Sequence, residues 1–84
     1  KQSGILQILL YLEGKSEDTF QEIEDNLELY YGAVNRSLDG LKNLGLVVQD
    51  IDNSTRPPSN IIRLTEKGKL VAQKLKDIEE ILKG

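Results

Sequence analysis

The stretch YYGAVNRSLDGLKNLGLVVQ, residues 30 to 49, holds a turn, a two-faced helix, a glycine stop and the start of a strand. Val34, Leu38 and Leu41 recur at the spacing of one helical face, so the pattern predicts a helix over about 31 to 44 that buries this stripe. Gly45 supplies the stop. At about 100° per residue the opposite face carries Gly32, Arg36, Asp39 and Asn43, with Asn35 at its border. Arg36 is the only cation on that outward face, and Asp39, three residues on, is its simplest partner. Tyr30 and Tyr31 lie at the turn, where such rings pack on a helix and leave the hydroxyl in water.

Upstream, Thr19 and Glu22 have the T-x-x-E spacing of a capping box. They open a helix over about 20 to 27 that buries Phe20, Ile23 and Leu27 and turns its acids to water. Before it, Ile5, Ile8, Leu9 and Leu12 predict a helix over about 4 to 13, with Leu6 and Leu10 as a second apolar stripe and Gly14 at the left-handed cap position. Downstream, LVVQDI (46 to 51) and NIIRLT (60 to 65) are rich in β-branched residues and flank DNSTRPPSN. They predict a two-stranded hairpin over about 46 to 65, whose long loop is stiffened by Pro57 and Pro58 beside Arg56. Thr65 then caps a last helix over about 66 to 83, some 27 Å long at the usual rise. Gly40 is unfavourable in mid-helix by about 1 kcal/mol relative to alanine.

The whole chain, residues 1 to 84, reads as one domain, and a chain of this size hides only about 60 to 65% of its unfolded surface. It has no Cys and no His, which removes disulfides, thiolate metal sites, the commonest general base and the commonest metal ligand. No catalytic residue, metal site or cofactor is therefore assigned. Asp50 starts a weak match to a calcium loop, but Thr55 stands where glycine belongs and Ile61 where glutamate belongs. The apolar runs are too short to span a bilayer and none reads as a signal peptide, so a soluble, cytoplasmic protein is expected. The chain starts at Lys1 rather than Met, as one trimmed from a longer protein does. Net charge is -3, yet the signs are segregated. Residues 13 to 29 carry seven acids against Lys15, and residues 56 to 76 carry six bases against Glu66.

The order of elements, helix, helix-turn-helix, two-stranded wing and long last helix, resembles the winged-helix transcription regulators, in particular MarR-like, PadR-like and small archaeal dimeric forms. Two motifs carry the resemblance: LKNLGLV (41 to 47), at the join of recognition helix and wing, and LTEKGK (64 to 69), at the join of wing and last helix. The resemblance implies a mainly α fold with a β-hairpin wing (α+β) and sequence-dependent binding of double-stranded DNA. Tyr30 to Asp39 would enter the major groove and the loop of residues 52 to 60 would touch the backbone or minor groove. The candidate DNA-binding residues are Tyr30, Tyr31, Gly32, Asn35, Arg36, Asn43, Arg56 and Arg63. Lys67 and Lys69 open a helix against its macrodipole, and phosphate is one candidate for what favours them. The alternative is a winged-helix protein-interaction module whose acidic second helix binds a basic partner.

The last helix raises its own question. Val71, Leu75, Ile78 and Leu82 follow the 4-3-4 spacing of a coiled-coil seam, while Leu70 and Ile81 form a neighbouring stripe available to the first helix. Two stripes need two partners. The seam of Val71, Leu75, Ile78 and Leu82 is accordingly assigned to a second copy of the chain in a homodimer.

Overall fold

The computed structural model describes residues 4–84. In chain order these are α1 (Gly4–Leu12), β1 (Glu17–Thr19), α2 (Phe20–Leu27), α3 (Tyr31–Asn43), β2 (Val47–Asp52), β3 (Ser59–Leu64) and α4 (Glu66–Lys83). The strands form one antiparallel sheet in the order β1-β3-β2. The hairpin is thus joined by a third strand that the sequence pattern did not predict: Glu17 pairs with Arg63, Asp18 with Ile62 and Thr19 with Ile61. Beneath the sheet, Ile8, Leu9, Leu12, Ile23, Val34, Leu38, Leu41, Ile62 and Leu64 form the centre of a single apolar core.

Local chemistry sets the ends of the helices. The Thr19 hydroxyl accepts the N–H of Glu22 at 3.0 Å and so caps α2. The other half of the expected capping box is not used, because Asp18 accepts the Thr19 N–H at 2.8 Å. Glu28 closes α2 in the left-handed region, at φ 54°, and its N–H returns to the Glu24 carbonyl. Residues 28–30 make the turn between α2 and α3. The left-handed position after α1 falls on Ser16, at φ 74°, and not on Gly14 as the pattern predicted. The reason is a later turn: Ser16 still donates its N–H to Leu12, and its carbonyl then receives the N–H of Leu64, which ties the end of α1 to β3.

Gly40 faces α1. A β-carbon there would lie 2.9 Å from the Ile5 Cδ1, so the poor helix former allows α1 and α3 to approach closely. In α4 the inward residues are Gly68 and Ala72, both buried, with Val71 and Leu75 packed on the core. This corrects the sequence reading of that helix. Leu70 and Ile81, offered to α1, are 67% and 76% exposed, while Val71 and Leu75 of the proposed seam are half-buried, packed on one side against the core. Small residues decide the orientation, because a helix approaches its neighbour most closely where its own side chains are shortest. Ile78 and Leu82 remain open to solvent and border an apolar trough with Leu6, Leu10 and Leu75 between α1 and α4.

The two motifs at the ends of the hairpin interlock. Lys67 donates to the Leu44 carbonyl at 2.9 Å, the Thr65 hydroxyl to the Gly45 carbonyl at 2.7 Å, and the Thr65 N–H to the Leu46 carbonyl at 3.0 Å. Gly68 lies so close to the Leu46 carbonyl that a β-carbon would overlap it. Three successive carbonyls at the end of α3 are thereby held by the first turn of α4. The cation at Lys67 is explained by the negative end of α3 that it caps, with no phosphate needed. Lys69 is paired with Glu66 at 3.3 Å.

Candidate nucleic-acid interface

The core stripe of Val34, Leu38 and Leu41 fixes the rotation of α3, so Gly32, Arg36, Asp39 and Asn43 face outward, with Asn35 half-buried at the border. Arg36 does not pair with Asp39 in any ion pair among the described residues. Its Nη2 donates to the Tyr30 hydroxyl at 2.9 Å, and its Cζ lies 5.8 Å from the centroid of the Tyr30 ring. Tyr30 itself is 67% exposed, so it serves the surface and not the core. Tyr31, equally open, leans on Phe20 with ring centroids 5.5 Å apart.

Phe20 also belongs to a second feature, a groove of about 440 Å³ between the start of α2 and the wing, lined by residues 19–21 and 55–60. Arg56 lies in its wall, and no carboxylate lines it. The exposed acids of α2, Glu22, Asp25 and Glu28, lie outside the groove. The wing is ordered by its own short-range bonds. Asp52 accepts the Ser54 hydroxyl at 2.6 Å and the Ser54 N–H at 3.0 Å, which lower its carboxyl pKa from the ordinary value. The Thr55 hydroxyl donates to the Pro57 carbonyl at 2.9 Å, beside a cis Arg56–Pro57 bond.

Arg63 is differently placed. Its Nε donates to Glu17 at 2.7 Å and its Nη1 to Asp50 at 2.6 Å, one partner on each flanking strand. Glu17 above all, then Asp50, raises its pKa beyond the ordinary guanidinium value. Two carboxylates thus oppose one charge. Of the three arginines, Arg36 and Arg56 have no carboxylate partner among the described residues. Lys42, which the sequence reading passed over, is exposed on the edge of α3 and hydrogen-bonds Gln49 of β2. Its signal was its place one turn beyond Leu38 on the strand side of the helix. Among the described residues no group of acids could hold a metal ion, and no helix is long and apolar enough to cross a membrane.

A helix-turn-helix whose second helix shows a polar face, followed by a β-hairpin wing and a long helix, defines the winged-helix class. The chain belongs to the winged helix DNA-binding domain family, which it matches over residues 5–82. No curated protein matches it. Among solved structures it is similar to a transcriptional regulator homologue from Pyrococcus horikoshii OT3, with 22% identity, a TM-score of 0.81, and 95% of this chain aligned to 80% of that one. It is also similar to AF1382 from Archaeoglobus fulgidus, with 24% identity and a TM-score of 0.84 over 100% of this chain and 92% of that one. A MarR transcriptional regulator from Methanosarcina mazei Go1 shares 26% identity and a TM-score of 0.80 over 92% of this chain. The chain spans 50% of that regulator's length.

Proposed function

We propose that the chain binds double-stranded DNA in a sequence-dependent way as a dimeric transcription regulator. The supporting observation is the pair of arginines without carboxylate partners, Arg36 on the outward face of α3 and Arg56 on the wing, on a chain that is acidic overall. In this reading α3 enters the major groove with Tyr31, Gly32, Asn35, Arg36 and Asn43 toward the duplex and Tyr30 beside Arg36. The wing follows the backbone into the adjacent minor groove, where a single arginine on a proline-stiffened loop fits a narrow, negative channel. Arg63 enters through the sheet, by holding β1 and β2 at the angle that aims the wing.

Titration of generic duplex across a salt series tests the reading. Arg56→Ala is expected to weaken binding to all duplexes alike and to flatten the slope of log K against log salt by about one, with sequence preference kept. An unchanged slope would remove the wing from the interface. The exposed acids Glu22, Asp25 and Glu28 favour a second reading, a module that binds a basic protein segment through α2. A wild type that binds no duplex at low salt selects it.

The dimer is proposed on the trough between α1 and α4, where Leu6, Leu10, Ile78 and Leu82 leave apolar surface open to water. Light scattering at tens of micromolar is expected to give twice the chain mass of 9.4 kDa. Ile78→Glu, which places a charge in that seam, is expected to return it to one. A monomeric wild type would reject the assignment.

A further inference from the structure

We infer that Tyr30 is a positioning residue, which holds Arg36 in the pose from which it reads the duplex; the inference rests on the DNA-binding reading above. Tyr30 occupies the N-cap of α3, where Ser, Thr, Asp or Asn would accept a backbone N–H and stabilise the helix. Its side chain makes no such bond. Nor is it core, being two-thirds exposed. A bulky aromatic at this position is thus unfavourable for the helix end and gains little from burial. Its described contacts point to another use. The hydroxyl accepts a hydrogen bond from Arg36 Nη2, and the ring lies within cation–π range of the same guanidinium.

Gly32 completes the arrangement. A β-carbon built there would lie 3.1 Å from Tyr30 Cε2 and 3.5 Å from Arg36 Nη1, so glycine leaves the ring and guanidinium room to lie together against the start of α3 where a side chain would crowd the ring. The three residues Tyr30, Gly32 and Arg36 act as seat, floor and occupant. An exposed arginine otherwise samples many rotamers and loses that freedom on binding. The tyrosine removes part of the loss in advance. It does so without consuming the charge, because a phenol is neutral, whereas the carboxylates on Arg63 neutralise theirs. Four of the five guanidinium N–H groups remain available to a base edge or a phosphate.

The test is a double-mutant cycle on a duplex selected by the wild type from a randomised library, with a scrambled duplex as reference. Tyr30→Phe keeps the ring and removes the hydroxyl. It is expected to lower the preference for the selected duplex about three- to tenfold, the size of one solvent-exposed hydrogen bond, with the melting temperature little changed. In an Arg36→Ala background the same change is expected to do nothing within about twofold. An equal loss in both backgrounds would overturn the inference, since Tyr30 would then contact the duplex on its own account. Relaxation of the Arg36 side-chain N–H in the free protein provides a readout independent of DNA. Restricted motion in the wild type, released in Tyr30→Leu, supports positioning; a guanidinium equally mobile in both overturns it. A wild type that binds no duplex while Arg36 stays restrained fails the DNA-binding reading and, with it, the use assigned to the restraint.

Discussion

Gly68→Ala is expected to lower stability by about 2 to 4 kcal/mol, although it adds a single methyl group and exchanges a poor helix former for the best one. The added carbon has nowhere to go. It would overlap the Leu46 carbonyl oxygen and lie 3.2 Å from Leu64 Cδ2, and that carbonyl is held in place by the N–H of Thr65. Relief requires α4 to move away from Leu46, which opens the core at Leu46, Leu64 and Ala72. For a domain of this size the loss amounts to about 10 to 25 °C in melting temperature. Gly14→Ala is the control, because nothing lies within 4 Å of a β-carbon there, and it is expected to shift stability by no more than about 0.5 kcal/mol. Parallel urea and thermal melts of the two variants decide the matter. If Gly68→Ala melts with the wild type, the contact is not tight in solution.

Arg36→Ala is expected to cost about 1 to 3 kcal/mol of affinity on the preferred duplex and less on random duplex, with the fold intact. The side chain is exposed and bonded only to Tyr30 among the described residues, so its removal leaves the Val34, Leu38 and Leu41 stripe undisturbed. Truncating Leu38 acts in the opposite sense, through about 2 to 5 kcal/mol of stability. Affinities for both duplexes, measured beside a melt, separate three outcomes. A larger loss on the preferred duplex identifies base readout, equal losses a phosphate contact, and no loss a helix whose outward face serves something other than DNA.

The parts of this fold written in local pattern were legible before the structure. The Val34, Leu38 and Leu41 stripe set both the extent of α3 and its rotation, so the outward position of Arg36 followed from spacing alone. Thr19 and Thr65 marked the starts of α2 and α4, where their hydroxyls accept the N–H groups of Glu22 and Gly68. Strand β1 was not legible, since Glu-Asp-Thr has neither alternation nor a run of β-branched residues. It becomes a strand only because β3, more than 40 residues on, offers a free edge, and Glu17 meets Arg63 across it. The same long-range pairing accounts for Arg63, whose charge looked available in sequence and is met on either side by Glu17 and Asp50. In α4 the heptad spacing identified two apolar stripes but not which turned inward. Gly68 and Ala72, four residues apart, carried that information and were overlooked because small residues contribute little to an apolar pattern.

The interlock of residues 44–46 with residues 65–68 makes α4 a lever whose short arm is the end of α3. Three carbonyls bonded to one helical turn leave little slack at the joint. At the usual helical rise α4 extends about 27 Å from that joint, its first half held on the core through Gly68, Val71, Ala72 and Leu75 and its last two turns reaching beyond. The orientation of α3 is therefore tied to that of α4 through this joint and the shared core. Were two chains joined along the trough between α1 and α4, as proposed, the separation of the two outward faces, and hence the stride between the two halves of a bound duplex, would be set by the crossing angle of two rods.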